Sequence, residues 1–341
     1  MAKTRWYVVA AVAALALAVT AAWLLGEPAG QAAESPPSPS LIPATSPSSG
    51  PSSGPSSSPS SGPSPSPMWS TAQPPEASWR VPDGFPNADT TGVPPGTPLM
   101  VVTGDQSFAT DGEVVENKVF HGFVVVTARG VTFRNCVFRG RATEEVRPLL
   151  DSEHARDTVV EDSEFFPSHA SPSIDGIWAG ATKIYRSEFH GTVDGIKAHT
   201  DTLVQDSYIH DLSWFASDPD QGGEPTHNDG VQVFAEHTRV TLRHNTIDMS
   251  TTKDPNAAVQ SSADELRVED NYLDGGACIV NIDHTPLGRP LTGQRVTGNR
   301  FGRASAHDCP ILLSSRSELQ ADGGNVWHDT GDPIPSPEQH D

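Results

Sequence analysis

Between Val131 and Trp327 one alternation of apolar and polar positions is written eight times: VTFRNCVF, TVVEDSEF, TKIYRSEF, TLVQDSYI, VTLRHNTI, LRVEDNYL, QRVTGNRF and a looser ADGGNVW. In each full copy an apolar residue (Phe133, Val160, Ile184, Val204, Leu242, Val268, Val296) is followed, after two intervening positions, by a small or amide residue. These ladder residues are Cys136, Ser163, Ser187, Ser207, Asn245, Asn271, Asn299 and Asn325, with an aromatic or aliphatic residue two positions beyond each. Successive ladder residues stand 27, 24, 20, 38, 26, 28 and 26 apart. Short runs with period-two alternation, repeating at 20 to 28 residues and lacking a helical period, predict one turn of a parallel β-helix per repeat. Asn and Ser at a fixed inward corner suit that fold, because each side chain can bond its counterpart on the next coil.

A second register lies between the ladder copies. The segments DGIWAG (175–180), DGIKAH (194–199), DGVQVF (229–234), AAVQSS (257–262), ACIVNI (277–282) and CPILLS (309–314) each carry an apolar, polar, apolar triplet, predicting another strand of every coil. PLL (148–150) stands where the first of these belongs, and Asn117 is an earlier ladder candidate. The fold class expected is all-β, a single-stranded right-handed parallel β-helix of about eight to ten coils.

The flanks read differently. Lys3 and Arg5 precede a mostly apolar run, Trp6 to Leu25, close to the ~20 residues that span a bilayer, so residues 1–33 are expected to be a signal peptide or signal anchor. Residues 34–67 are nearly all Ser, Pro and Gly, a linker that cannot bury a core. Residues 68–98 are expected to cap the open end of the solenoid, 99–330 to form it, and 331–341 to be a disordered tail.

Composition then narrows the partners. The formal charge is -21, from 22 basic and 43 acidic residues, and the first 67 residues contribute none of it. Such a surface argues against nucleic acid and anionic lipid, confining membrane contact to the amino-terminal segment, and it disfavours polyuronates unless a cation intervenes. A monomer located outside the cell is expected. Three cysteines make no disulfide framework. Cys136 is a ladder filler, while Cys278 and Cys309 fall near one another on adjacent coils, offset by one residue, which leaves both a disulfide and two thiols open.

The stretch GFPNADTTGVPPGTPL (84–99) resembles the opening of secreted bacterial right-handed parallel β-helix repeat proteins, which are similar to the pectate lyase superfamily. The resemblance runs from Gly84 to the end and implies the fold far more specifically than an activity.

The candidate chemistry gathers on the Asp-Gly segments. If Ile177, Ile196, Val231 and Val259 point inward, Trp178, Lys197, His199, Gln232, Phe234 and Gln260 point outward on successive coils. Asp175, Asp194 and Asp229 head the same strands. The long loop 211–228, with Trp214 and His227, enters from that edge.

This is a face for a sugar chain, with Trp178, Trp214, Gln232, Phe234 and Gln260 as substrate contacts. The leading expectation is a Ca2+-assisted polysaccharide lyase or C5 epimerase. In it Asp175, Asp194, Asp229 and Asn228 hold Ca2+, Lys197 is the base, and His199 or His227 assists beside Asp194 and Asp229. One tension is already visible: neighbouring carboxylates favour the protonated, non-basic form of Lys197. The alternatives are a non-catalytic glycan-binding or adhesion module, and a glycoside hydrolase using the stacked aspartates. The bland reading is that each Asp-Gly is a turn with glycine at positive φ.

Overall fold

The computed structural model describes residues 81–340. The expected anchor, the linker and residues 68–80 of the expected cap lie outside the described residues. Among those described, three sheets of ten, ten and nine strands, with every paired strand parallel, wind as the three walls of a parallel β-helix. One wall carries the strands that follow the ladder residue, such as Glu164–Phe165 and Thr246–Asp248. A second carries the Asp-Gly strands, such as Ile174–Ala179 and Asp229–Val233. The third carries the strands that lead into the ladder, such as Thr158–Glu161 and Arg267–Glu269.

The ladder is what turns the third wall into the first. The residue just before it is left-handed on every coil: Asn135 (φ 52°), Asp162 (50°), Arg186 (45°), Asp206 (54°), His244 (50°), Asp270 (58°) and Gly298 (69°). For a non-glycine residue that conformation costs about 1–2 kcal/mol, and the ladder side chain offsets it. The Asn271 Oδ1 accepts from the backbone N–H of Asn245 (2.9 Å) and from its Nδ2 (3.0 Å), while Asn271 Nδ2 donates to Leu242 O and to Asn299 Oδ1, both at 3.0 Å. Serine does half of this work. Ser187 Oγ accepts from the Ser163 N–H (3.4 Å) and donates to Tyr185 O two residues back (3.0 Å).

Asn117 is not on the ladder. It is itself the left-handed corner residue (φ 57°), its amide paired with Asn135, and Lys118 takes the ladder register. Spacing alone could not separate two adjacent positions.

Inside, the apolar residues two past the ladder stack. Phe120, Phe138, Phe165 and Phe189 follow one another at ring-centroid distances of 5.3, 4.5 and 4.4 Å, all buried. Each such pair contributes about 0.5–1.5 kcal/mol beyond its buried area.

The Asp-Gly glycines have a different cause from the one a turn suggests. Gly176, Gly195 and Gly230 are not among the positive-φ residues. A Cβ on Gly176 would lie 2.2 Å from Gly195 O, and one on Gly195 would lie 2.6 Å from Gly230 O, so close approach of the next coil selects glycine.

Two flanks differ from expectation. Residues 84–92 run along the lateral wall rather than across the open end: His244 Nε2 meets Gly84 O (2.9 Å), Thr246 donates to Pro86 O (2.6 Å), and Gly92 N–H donates to Arg186 O (2.9 Å). The tail is ordered as far as it is described, since Glu338–His340 pairs with Cys309–Ser314 as the last strand of the Asp-Gly wall. Cys278 and Cys309 share one register position and are disulfide-bonded. The offset read from the sequence is absorbed by the loops between coils.

Candidate functional site

Alternation on the Asp-Gly wall places Ile177, Ile196, Val231 and Val259 inside, all fully buried, and in register. One residue on, Asp151, Trp178, Lys197, Gln232, Gln260 and Asn281 form an outward row, one per rung, roughly 4.8 Å apart. Two residues further, Glu153, Gly180, His199 and Phe234 form a second outward row, in which Phe234 is 39% exposed.

Asp175, Asp194 and Asp229 do stack at the strand entries, but they are buried, and each is already engaged. Lys197 Nζ sits 2.7 Å from Asp175 Oδ2 and 3.3 Å from Asp194 Oδ2. Trp178 Nε1 donates to the same Asp175 oxygen at 2.8 Å. Asp194 Oδ1 accepts the Asp229 N–H (2.9 Å), and Asp229 Oδ1 accepts from Asn256 (2.8 Å), leaving Asp229 Oδ2 buried without a partner.

Burial raises Asp194 to about 6, with Lys197 opposing the rise and Asp175 adding to it. Burial, with the Asp194 charge, holds Asp229 well above the carboxylate range. For Lys197, burial works to lower its pKa, but the charges of Asp175 and Asp194 outweigh it and hold the ammonium above the ordinary lysine value. Held between Asp175 and Asp194, Lys197 is kept as an ammonium, the form already set against its expected role as the base.

These residues do not fit a calcium ion. The ammonium of Lys197 lies between two of the three carboxylates, and Asn228 is spent on Val193 O (2.7 Å), Ser213 O (2.8 Å) and Thr226 (2.9 Å). Among the described residues no three His, Cys, Asp or Glu side chains converge as a metal site. Added Ca2+ and added chelator are therefore expected to leave the melting temperature unchanged, because an ion bound only by the native state would raise it. A calcium-dependent rise would reinstate the aspartate site.

His227 is exposed, and among the described residues no hydrogen bond ties its ring to this row. Trp214 is half-buried, with Lys253 Nζ 3.4 Å over its ring.

His199 stands apart from the rest. It is only 7% exposed, its ring lies parallel to that of His237 at 4.0 Å, and its Nδ1 is buried with no hydrogen bond. Burial, then the nearby His237, His154 and Lys197, lower its pKa to about 4, so at neutral pH the imidazole is uncharged. It lines a cavity of about 370 Å³ together with Glu153, His154, Arg156, Gly180 and His237.

Sequence reasoning missed Glu153 and His237. Glu153 was within reach, because continuing the alternation past PLL carries Asp151 and Glu153 outward; His237 lies in a turn whose position no repeat fixes. Also missed was the outer face of the ladder wall, where Glu188, His210, Asp248 and Asp274 flank the inward column. There burial lowers, and the bonds to Asp211 and Glu188 then more than restore, the pKa of His210, to about 9. Burial also raises Asp248 to about 6.

No protein family, curated protein or solved structure matches this chain.

Proposed function

We propose that this chain acts on an acidic polysaccharide by removing the proton next to a uronate carboxylate, as a lyase or a C5 epimerase. The observation that carries the reading is the placement, two residues apart on one outward strand edge, of the Lys197 ammonium, ion-paired with Asp175 and Asp194, and the His199 imidazole, stacked on His237 and lining the cavity; burial keeps that imidazole uncharged at neutral pH. Side chains two apart on a strand face the same way, roughly 6.6 Å from one another. The ammonium neutralises the uronate carboxylate and so acidifies the C5 proton; the imidazole takes that proton. The C–H electron pair passes into the carboxylate. In elimination it returns to form the C4–C5 double bond and expel the C4 oxygen, which takes up a proton. In epimerisation C5 regains a proton on its other face. No metal is required by this scheme. The apolar amino-terminal run and the Ser/Pro/Gly linker support a tethered, extracellular location for it.

On a panel of polyuronates, the unsaturated product is expected as rising ultraviolet absorbance, and epimerisation as solvent deuterium entering C5. His199→Gln should lower turnover about 100-fold or more, the usual share of a general base. In the wild type, turnover should fall as pH drops through about 4, where His199 becomes charged. Turnover that persists in His199→Gln removes His199 as the base.

A second reading is favoured by the exposed Phe234 and the row Trp178, Gln232, Gln260: a glycan-binding module without catalysis. Retention on a polysaccharide affinity gel with neither product nor exchange would establish it. Hydrolysis is the least supported, because Asp194 and Asp229 are almost wholly shielded from a sugar.

A further inference from the structure

We infer that Glu153 is a positioning residue for His199, holding the imidazole as the tautomer with its proton on Nδ1 and its lone pair on Nε2 toward the pocket. This rests on the reading of His199 as a base, and it concerns a residue two coils away. Ser152 pairs with Ala179, and Ala179 with Ala198, so Glu153, Gly180 and His199 occupy one register position on three successive rungs. Glu153 and His199 are therefore separated by roughly 9.6 Å of backbone, twice the rung spacing. Their side chains nonetheless approach to 3.8 Å, from Glu153 Oε1 to His199 Nδ1.

They can do so because the intervening rung has no side chain. Gly180 leaves the gap, and its identity is enforced locally, since a Cβ there would lie 2.1 Å from Glu153 O. The His199 ring cannot turn away: His237 lies parallel against it at 4.0 Å and 11°. Nδ1 is buried without a hydrogen bond, and among the described residues the carboxylate that approaches it is that of Glu153, while Nε2 is left to the pocket. The separation is longer than a hydrogen bond, as catalytic pairs often are before substrate closes the site.

A carboxylate at Nδ1 fixes which nitrogen carries the proton, the same logic by which second partners set imidazole tautomers elsewhere. The other charged groups around the ring are Lys197 on its own strand, His154 and Arg156 on the coil of Glu153, Asp201 in the following turn, and His237. Asp201 is occupied by Arg239 at 2.6 Å, so it does not compete for Nδ1.

The test is the side-chain 15N spectrum of His199 in the full chain at pH 7, assigned by comparison with His199→Gln. Wild type is expected to show the Nδ1-protonated form. Glu153→Leu should shift it toward the Nε2-protonated form and lower kcat on a polyuronate at least tenfold with KM little changed. Glu153→Gln, which keeps an acceptor oxygen without the charge, should retain the wild-type tautomer. An Nε2-protonated wild type, or a Glu153→Leu spectrum identical to wild type, overturns the assignment. If Glu153→Leu does not fold, the wild-type and Glu153→Gln spectra still decide it. The expected tautomers with no turnover on any polyuronate would leave the positioning intact and remove the proposed activity instead.

Discussion

Lys197→Met is expected to cost about 3–5 kcal/mol of folding stability at pH 8, the usual penalty for stripping the partner from a buried charge. The side chain is 17% exposed, and Asp175 and Asp194 are 4% and 5% exposed, so water cannot take over from the ammonium. The loss should be smaller at pH 5. Asp194 has a folded pKa raised to about 6, above the ordinary unfolded value of about 3.9. Its protonated form therefore adds stability in full below about pH 4, and that contribution fades as pH rises through about 6. Without Lys197 the carboxylates have still more reason to take up protons. Urea midpoints at the two pH values measure this, and Lys197→Met combined with Asp194→Asn should recover part of the pH 8 loss. An equal loss at both pH values would mean that the ion pair contributes nothing beyond packing. In a turnover assay the same substitution should abolish activity even at pH 5, where the fold is partly restored, since the carboxylate of the substrate then has no cation opposite it.

Asn271→Ala should be comparably damaging, by about 3–6 kcal/mol, for a reason that involves no charge. The side chain is fully buried, and four hydrogen bonds converge on it. Removing it strands the Asn245 N–H and the Leu242 carbonyl where neither can reach water, at about 1–3 kcal/mol each, and leaves the amides of Asn245 and Asn299 short of a partner. Asn271→Ser should cost clearly less. The upper coils already run on serine, where Ser163, Ser187 and Ser207 each accept from the coil before and donate two residues back. The join between the two chemistries is present in the chain as Asn245 Oδ1 accepting from Ser207 N–H at 2.9 Å. Denaturant titration of the three proteins ranks them; an alanine variant as stable as the serine variant would show that the ladder only fills space.

Sheet alternation and coil repetition could be read from the chain because both are periodic properties of neighbouring residues. The inward set Phe138, Phe165, Phe189 and Ile209, the ladder from Cys136 to Asn325, and the outward set Trp178, Lys197, Gln232 and Gln260 all follow from counting in twos and in coils. The Asn117 register and the Cys278–Cys309 offset were misjudged because corners absorb a residue without disturbing the strands on either side. The wall position of residues 84–92 carries no repeat at all, and tertiary contacts alone reveal it: Phe85 against His244 and Tyr272, and the hydrogen bonds to Gly84 O, Pro86 O and from Gly92 N–H.

By itself the sequence determined which residues share a rung and which face outward, since a pleated strand offers two faces and the repeat fixes the stacking. Only the tertiary structure decided what state those residues are in. The protonation of Lys197 depends on Asp175 one coil earlier, and the neutrality of His199 on how deeply four turns bury it. Contact between Glu153 and His199 depends on a missing side chain at Gly180. Asp194 lies within three residues of Lys197, but Asp175, and the Glu153, His154 and His237 groups around His199, lie on other coils 20 or more residues away, so a local window of the chain holds only part of the charge and burial that set these states.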